Sequence, residues 1–180
     1  TPVTYGSYLR LDDLLSCQSP ATNEHDELLF VIIHQTYELW FKQILHEMTL
    51  LQERLEVGNS PGALHTARRI AKILKTIVGQ LDILETMTPK QFASFRGKLG
   101  TSSGFQSNQF REIEAAYGRR DFSVPSGDER LDAAMDRRAV FDSLLRYFAT
   151  QGWELPAESL YRDPSTAWPG DETIQALLIE

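Results

Sequence analysis

The chain has 180 residues, 42% of them hydrophobic and 24% charged, which is typical of a folded globular protein and excludes a disordered one. Eighteen basic and 25 acidic residues give a formal charge of -7, which argues against binding to nucleic acid or to an anionic membrane surface. The single cysteine, the absence of a signal-peptide pattern and the lack of a membrane-length apolar run predict a cytoplasmic protein without a membrane segment.

The first fifteen residues are predicted to form an amphipathic arm. Apolar side chains recur at roughly helical spacing in this short segment, which has no obvious packing partner in the sequence. Such an arm docks either on its own core or on a neighbouring subunit, and the local pattern does not choose between them. The apolar positions are Tyr5, Tyr8, Leu9, Leu11, Leu14 and Leu15.

A long helix is predicted from Glu24 to Leu55, because this stretch contains no proline and no glycine. At 1.5 Å per residue it would be about 50 Å long. Six apolar residues run directly into His34, which shares one face of the helix with Phe30 and Glu38. The pattern therefore predicts that the titratable imidazole of His34 lies in an apolar interior.

The remaining chain predicts further helices and no strands. A second helix from Ser60 to about Met87 would lie antiparallel on the first through Ile70, Leu74, Ile77, Leu81 and Leu84. Thr88 and Gln91 match a capping box for a helix from Pro89 to Leu99. Helical spacing returns over 107–117 and 131–150, a polar loop is expected over 119–128, and 156–170 is expected to be irregular. We therefore expect a single all-α domain over 1–180, a bundle of long antiparallel helices.

Several familiar site patterns are excluded. His46 and Glu47 are not followed by the second histidine of a zinc-binding HExxH helix, and no Glu-x-x-His pair or phosphate-binding glycine loop is present. A basic stretch on the second helix is interpreted as a solvated face. Its residues are Arg68, Arg69, Lys72 and Lys75.

Two residues admit both a structural and a functional interpretation. His34 is either a core histidine satisfied by one hydrogen bond or a neutral imidazole that faces an apolar pocket. Arg96, in the segment QFASFRGKLG, either extends its guanidinium to solvent or holds a carboxylate by a two-pronged contact. Together with the loop GTSSGF, these residues suggest a pocket for an aromatic molecule that carries a carboxylate.

Five separated motifs resemble the tryptophan 2,3-dioxygenase family. They are YGSYLRLDDLL from Tyr5, HQTYELWFKQILHE from His34, LETMT from Leu84, FR at Phe95, and SSGFQSNQFREIE from Ser102. The resemblance implies an all-α cytoplasmic homotetramer, a dimer of dimers, whose N-terminal arm is exchanged between subunits. It also implies haem b as cofactor and O2 as co-substrate, for oxidative cleavage of the indole C2–C3 bond of L-tryptophan to N-formylkynurenine.

The resemblance also implies roles for individual residues. His34 would be the catalytic distal histidine that accepts a hydrogen bond from the indole N–H, and Arg96 would pair with the substrate carboxylate. Ser103 and Gly104 would lie over the haem edge. The indole would be walled by Phe30, Phe92 and Leu99, and the pocket would be closed by Tyr5, Tyr8 and Leu9 of an adjacent subunit.

The family's proximal haem-ligating histidine is expected beyond Glu180, so no metal ligand is assigned within the chain, and the C-terminal part of the family domain is expected to be missing. A protein ending at Glu180 is then expected to bind haem weakly or not at all. Two alternatives remain: a related haem oxygenase acting on another indole, and a non-catalytic helical interaction module.

Overall fold

A computed structural model describes residues 2–122, 128–168 and 170–179. These residues form ten α-helices and one 3-10 turn, and no strand occurs among them, which confirms the predicted all-α fold. The predicted polar loop at 119–128 falls partly outside the described residues, since 123–127 are not among them. The helices are α1 (Tyr5–Leu9), α2 (Leu11–Leu15), α3 (His25–Glu56), α4 (Ser60–Leu84), α5 (Pro89–Arg96), α6 (Asn108–Tyr117), α7 (Glu129–Asp136), α8 (Val140–Thr150), α9 (Ala157–Leu160) and α10 (Glu172–Ile179); the 3-10 turn is Gly104–Gln106.

The chain divides into two compact units. The first unit comprises Thr1–Tyr37 and Thr76–Gln106, and the second comprises Glu38–Lys75 and Ser107–Glu180. Helices α3 and α4 each contribute one part to each unit. Among the described helices, none is long and apolar enough to cross a membrane.

In the second unit, α3 and α4 run antiparallel, as predicted. Arg54 near the end of α3 donates to the Gly62 carbonyl at 2.8 Å and to the Thr66 hydroxyl at the start of α4. About two turns earlier in α3, the buried Glu47 accepts two hydrogen bonds from Arg69, at 3.0 and 3.2 Å. An earlier residue of α3 thus pairs with a later residue of α4, so the two helices run in opposite directions.

The second unit also contains most of the buried apolar side chains that the structure describes. On α3 and α4 they are Ile44, Met48, Leu51, Leu55, Ala63, Ile70 and Ile73. A further cluster joins α6 to α7 through Ala115, Leu131 and Ala134, with Phe122 and Met135 packed against it. Burying apolar area of this kind is the main stabilising term of a small helical unit.

The first unit is held by a small aromatic core and by helix caps. Helix α5 begins with the predicted capping box: the Thr88 hydroxyl accepts from the Gln91 N–H at 3.3 Å, and the Gln91 side chain accepts from the Thr88 N–H at 2.8 Å. The cap places Phe95 in the interior, where it is 0% exposed. The loop after α5 turns at Gly100, whose φ of +57° is in the left-handed region that favours glycine.

The N-terminal arm consists of two short helices, because Arg10 adopts a left-handed conformation (φ 51°) between α1 and α2. Three boundary predictions are corrected by the structure. Helix α4 ends at Leu84 rather than Met87, because the Thr86 and Met87 N–H groups bond to the carbonyls three residues earlier instead of four. Helix α5 ends at Arg96, three residues before the predicted end, as the next backbone bonds shorten to i to i-3. The segment 131–150 is two helices rather than one, with an extended residue at Arg137.

The predicted contact face of α4 is also only partly correct. Its buried positions are Ala63, Thr66, Ile70 and Ile73. Leu74 and Leu81, which were expected to face α3, are 37% and 44% exposed. The apolar stripe of α4 therefore continues beyond the buried part of the helix.

Candidate active site

The predicted site begins with two stacked rings on α3. Phe30 and His34 are four residues apart and therefore share one face of the helix. Their ring centroids lie 4.1 Å apart with an interplanar angle of 38°. The residue is half-buried, so part of it remains accessible. The structure thus places the predicted histidine against the predicted aromatic wall.

The hydrogen bond of His34 defines which ring nitrogen can accept. Nδ1 lies 2.8 Å from the Phe30 carbonyl oxygen. Because a carbonyl oxygen can only accept, the hydrogen of a neutral imidazole must be on Nδ1, and Nε2 carries the lone pair. This contact also orients the ring. The neutral side chain therefore presents one fixed acceptor.

Helix α5 supplies the other side of the aromatic cluster. Phe92 lies 5.7 Å from Phe30 between ring centroids, and Phe95 lies 5.7 Å from Phe30 and 5.5 Å from Phe92. The two α5 rings meet edge to face at 87°, an arrangement that aromatic pairs favour. Phe30 therefore contacts both His34 and Phe92.

Phe95 is the residue that sequence reasoning did not include in the site. It is completely buried and packs against both Phe30 and Phe92, so it supports the two aromatic rings that were predicted to line the site. The spacing of Phe92 and Phe95, three residues apart in a short helix, was the signal that could have identified it. Tyr37 lies on the other side of His34, at 6.1 Å between centroids, and burial raises the pKa of its hydroxyl.

Arg96 follows Phe95 directly, at the end of α5. Its Nη1 donates to the Gly100 carbonyl at 2.9 Å, which anchors the guanidinium to the loop that follows the helix. A guanidinium has five N–H donors, and this bond uses one of them. The side chain is half-buried, as is that of Leu99, three residues further on. Both predicted residues therefore lie beside the aromatic cluster in sequence, on the turn that ends α5.

Ser103 and Gly104 lie on the exposed loop after α5. The Ser103 N–H donates to the Gln106 side chain at 3.2 Å, which closes the short 3-10 turn that begins at Gly104. A Cβ added at Gly104 would meet no atom within 4 Å, so the space above this backbone is open.

Tyr5, Tyr8 and Leu9 are not brought to the aromatic cluster by the contacts within one chain. They lie on α1, which contains no buried residue, and the two tyrosines are 77% and 75% exposed. Glu38, which shares the helix face of His34, accepts a hydrogen bond from Gln109 at 2.7 Å within the second unit. It therefore has a structural partner there.

The second unit contains an apolar cavity of about 470 Å³ formed by α3, α4 and α8. Its polar groups include the hydroxyls of Ser60 and Tyr147, which hydrogen bond to each other at 2.7 Å. None of the predicted site residues lines it.

Comparison with known proteins identifies the family. The family described as Tryptophan 2,3-dioxygenase matches residues 1–147. Relatives with that name include proteins from Anaeromyxobacter sp. (strain K), 51% identical over 99% of this chain and 69% of the relative, and from Anaeromyxobacter dehalogenans (strain 2CP-C), 52% identical with the same coverage. A third, from Herpetosiphon aurantiacus, is 46% identical over 98% of this chain and 71% of the relative. On these matches, the chain belongs to the tryptophan 2,3-dioxygenase family.

Proposed function

We propose that this protein catalyses the insertion of both atoms of O2 across the indole C2–C3 bond of L-tryptophan, which yields N-formylkynurenine. The observation that carries the proposal is the fixed Nε2 acceptor of His34, held against the aromatic face of Phe30. An indole offers one N–H donor on a flat apolar ring, so this pair is complementary to it.

Membership in the family implies a haem cofactor and the use of O2. We infer that the cofactor is haem b. The inference is supported by the contacts of Phe30 with His34 and Phe92, and by the open space beside the backbone of Gly104. Ser103 and Gly104 would contact the cofactor edge. When bound, the haem supplies the iron that activates O2.

The axial ligand of that iron is proposed to be none of the four histidines of this chain. His34 is the distal group, His65 accepts at Nε2 from Arg69 at 3.0 Å, and His25 and His46 are exposed on the surface of α3.

His34 is proposed to orient the indole. Its Nε2 accepts the indole N–H while its own Nδ1 hydrogen stays on the Phe30 carbonyl, so the ring need not rotate when substrate binds. A fixed hydrogen bond at one end of the indole limits its rotation over the cofactor, and this positioning lowers the entropic cost of reaction. The proposed role requires no proton transfer to the histidine.

Arg96 is proposed to bind the carboxylate of the amino acid. Two parallel N–H donors of a guanidinium match the two oxygens of a carboxylate, and the bond to Gly100 holds the group in place. Phe30, Phe92 and Leu99 would wall the indole. The requirement for a carboxylate separates L-tryptophan from other indoles.

The remaining wall is proposed to come from a neighbouring subunit. Tyr5, Tyr8 and Leu9 are exposed on an arm without buried residues, which is consistent with docking elsewhere in a homotetramer, a dimer of dimers. We further propose that the enzyme acts in the cytoplasm.

The test is turnover by the haem-loaded, full-length protein with ¹⁸O2. The proposal expects N-formylkynurenine that carries two labelled oxygen atoms. An Arg96→Ala variant is expected to lose about 10- to 100-fold in kcat/KM for L-tryptophan, since hydrogen bonds to charged groups contribute about 1.5–3 kcal/mol.

Binding of indole itself, which lacks the carboxylate, is the matched control and is expected to be unchanged in Arg96→Ala. Unlabelled product, or equal losses for tryptophan and indole, would contradict the assignment.

A further inference from the structure

Two glutamines join the N-terminal arm to α3. Gln18 donates from Nε2 to the Gln35 side-chain oxygen at 2.6 Å and to the Leu14 carbonyl at 3.1 Å. Gln35 in turn donates from its Nε2 to the Cys17 carbonyl at 3.0 Å. The end of α2 is therefore bound through side chains to Gln35, in the first half of the long helix.

A buried carboxylate fixes the turn between the arm and α3. Glu27 is 1% exposed and accepts from the N–H groups of Ala21 and Thr22, at 2.7 and 2.8 Å, and from the Thr22 hydroxyl. The same hydroxyl accepts from the Glu24 N–H at 3.2 Å. The hydrogen bond from the Thr22 side chain is the main cause that lowers the pKa of Glu27, so the carboxylate is charged at neutral pH.

The arm beyond this joint is not packed. Helices α1 and α2 contain no buried residue, and Arg10 between them is in the left-handed conformation and pairs with Asp13 at 2.7 Å, an exposed contact. Exposed ion pairs contribute little to stability. The direction of the arm is therefore set at its base, by the contacts of Gln18, Gln35 and Glu27.

Gln35 follows His34 directly in α3, so their side chains leave the helix about 100° apart. The contact to the arm thus uses a side of α3 different from the one that carries the imidazole. Both sides belong to the first unit.

We propose that Gln18, Gln35 and Glu27 are positioning residues that hold the arm of one subunit in the direction from which it completes the substrate pocket of its neighbour. The inference rests on the proposed function, because it assigns these residues to the arm that the function uses. A rigid base raises the effective concentration of the arm at the neighbouring pocket, since less conformational freedom is lost when the arm docks. None of the three residues touches the substrate.

The experiment uses the full-length, haem-loaded enzyme with Gln35→Ala, and Gln43→Ala as matched control. Gln43 is a half-buried glutamine of the same helix that donates to Glu47 at 2.8 Å and does not contact the arm. Gln35→Ala removes these hydrogen bonds and is expected to raise KM for L-tryptophan about 3- to 10-fold with kcat little changed. This range corresponds to a loss of about 1 kcal/mol, the contribution of a typical hydrogen bond. Gln43→Ala is expected to change neither constant.

A second readout does not depend on activity. Limited trypsin digestion, followed by mass spectrometry of the fragment that ends at Arg10, is expected to be several-fold faster for Gln35→Ala and Gln18→Ala than for Gln43→Ala. Gln35→Glu keeps the acceptor for Gln18 and is expected to fall between wild type and Gln35→Ala in both assays. Glu27→Gln extends the test to the buried carboxylate.

The outcomes separate the inference from the function on which it rests. Wild-type enzyme without tryptophan turnover would refute the proposed function, while cleavage at Arg10 would still report on the joint. Unchanged cleavage in Gln18→Ala and Gln35→Ala would show that the hydrogen bonds of these two glutamines do not restrain the arm. Faster cleavage with an unchanged KM would overturn their role in positioning the arm for the pocket.

Discussion

The two units of the chain differ in how they are stabilised. The second unit contains nearly all of the buried apolar residues that the structure describes, whereas the first contributes only Ile33 and Phe95 to that core. The first unit instead depends on helix caps, a few aromatic contacts and side-chain hydrogen bonds. The difference indicates that the unit with the candidate site has few buried apolar side chains and leaves an aromatic surface accessible. The other unit contributes most of the buried apolar area that stabilises the fold.

The largest effect is expected at the small core of the first unit. Phe95→Ala removes the only completely buried ring described there and should cost about 3–5 kcal/mol in the free energy of unfolding. Hydrogen exchange in α5 and chemical denaturation would measure this. Phe95→Leu, which preserves most of the volume, is the control and should lose less. A cost below 1 kcal/mol for Phe95→Ala would contradict the comparison of the two units.

An effect of intermediate size is expected at a buried ion pair of the second unit. Arg162 donates to Asp142 at 2.7 Å, with side chains only 9% and 7% exposed. Arg162→Met leaves the carboxylate without its cationic partner, although it still accepts from the Ala139 N–H at 2.8 Å, and should cost about 3 kcal/mol. Denaturation followed by tryptophan fluorescence reports this, because Trp168 packs on Phe141 in the same unit.

The double variant Arg162→Met with Asp142→Asn is the control for that pair. It removes both charges, so it should be more stable than Arg162→Met alone. A double variant less stable than the single one would show that the residues act through packing rather than through their charges.

The smallest effect is expected at Glu112 in the second unit. Burial raises the pKa of this carboxyl, and the charge of Arg137, whose Nη2 lies 3.7 Å away, offsets the increase only in part. A folded pKa above the unfolded value means that ionisation opposes folding, so stability is lost as the pH rises through that pKa. Glu112→Gln should therefore slightly raise Tm at pH 7 and lose this advantage at a pH below 4.5, the ordinary value of the group. An advantage that persists at low pH would contradict the electrostatic cause.

Sequence signals that span only a few residues correctly predicted α3, the start of α5 and the contact between Phe30 and His34. The absence of glycine and proline defined α3 to within one residue at each end, and the Thr88 and Gln91 cap defined the start of α5. The stacked pair of Phe30 and His34 followed from helical spacing. These features depend on residues at most four positions apart.

Long-range contacts explain what the sequence did not show. The segment 131–150 breaks because the Arg137 carbonyl accepts from Arg120 and the Arg138 carbonyl accepts from Gln52, at 3.0 and 2.9 Å. A continuous helix would use those carbonyls internally. Likewise, the depth of Phe95 depends on its contact with α3, which periodicity in α5 alone does not contain.

The central claim is that Nε2 of His34 accepts the indole N–H. It is tested most directly by comparing L-tryptophan with 1-methyl-L-tryptophan, which has no N–H, in the wild-type enzyme and in His34→Ala. The wild type should discriminate against the methylated substrate in kcat/KM by about fivefold or more, the value of one hydrogen bond of roughly 1 kcal/mol. His34→Ala should still form product from L-tryptophan, with a higher KM, and should no longer discriminate between the two substrates. Discrimination that persists unchanged in His34→Ala would contradict the account.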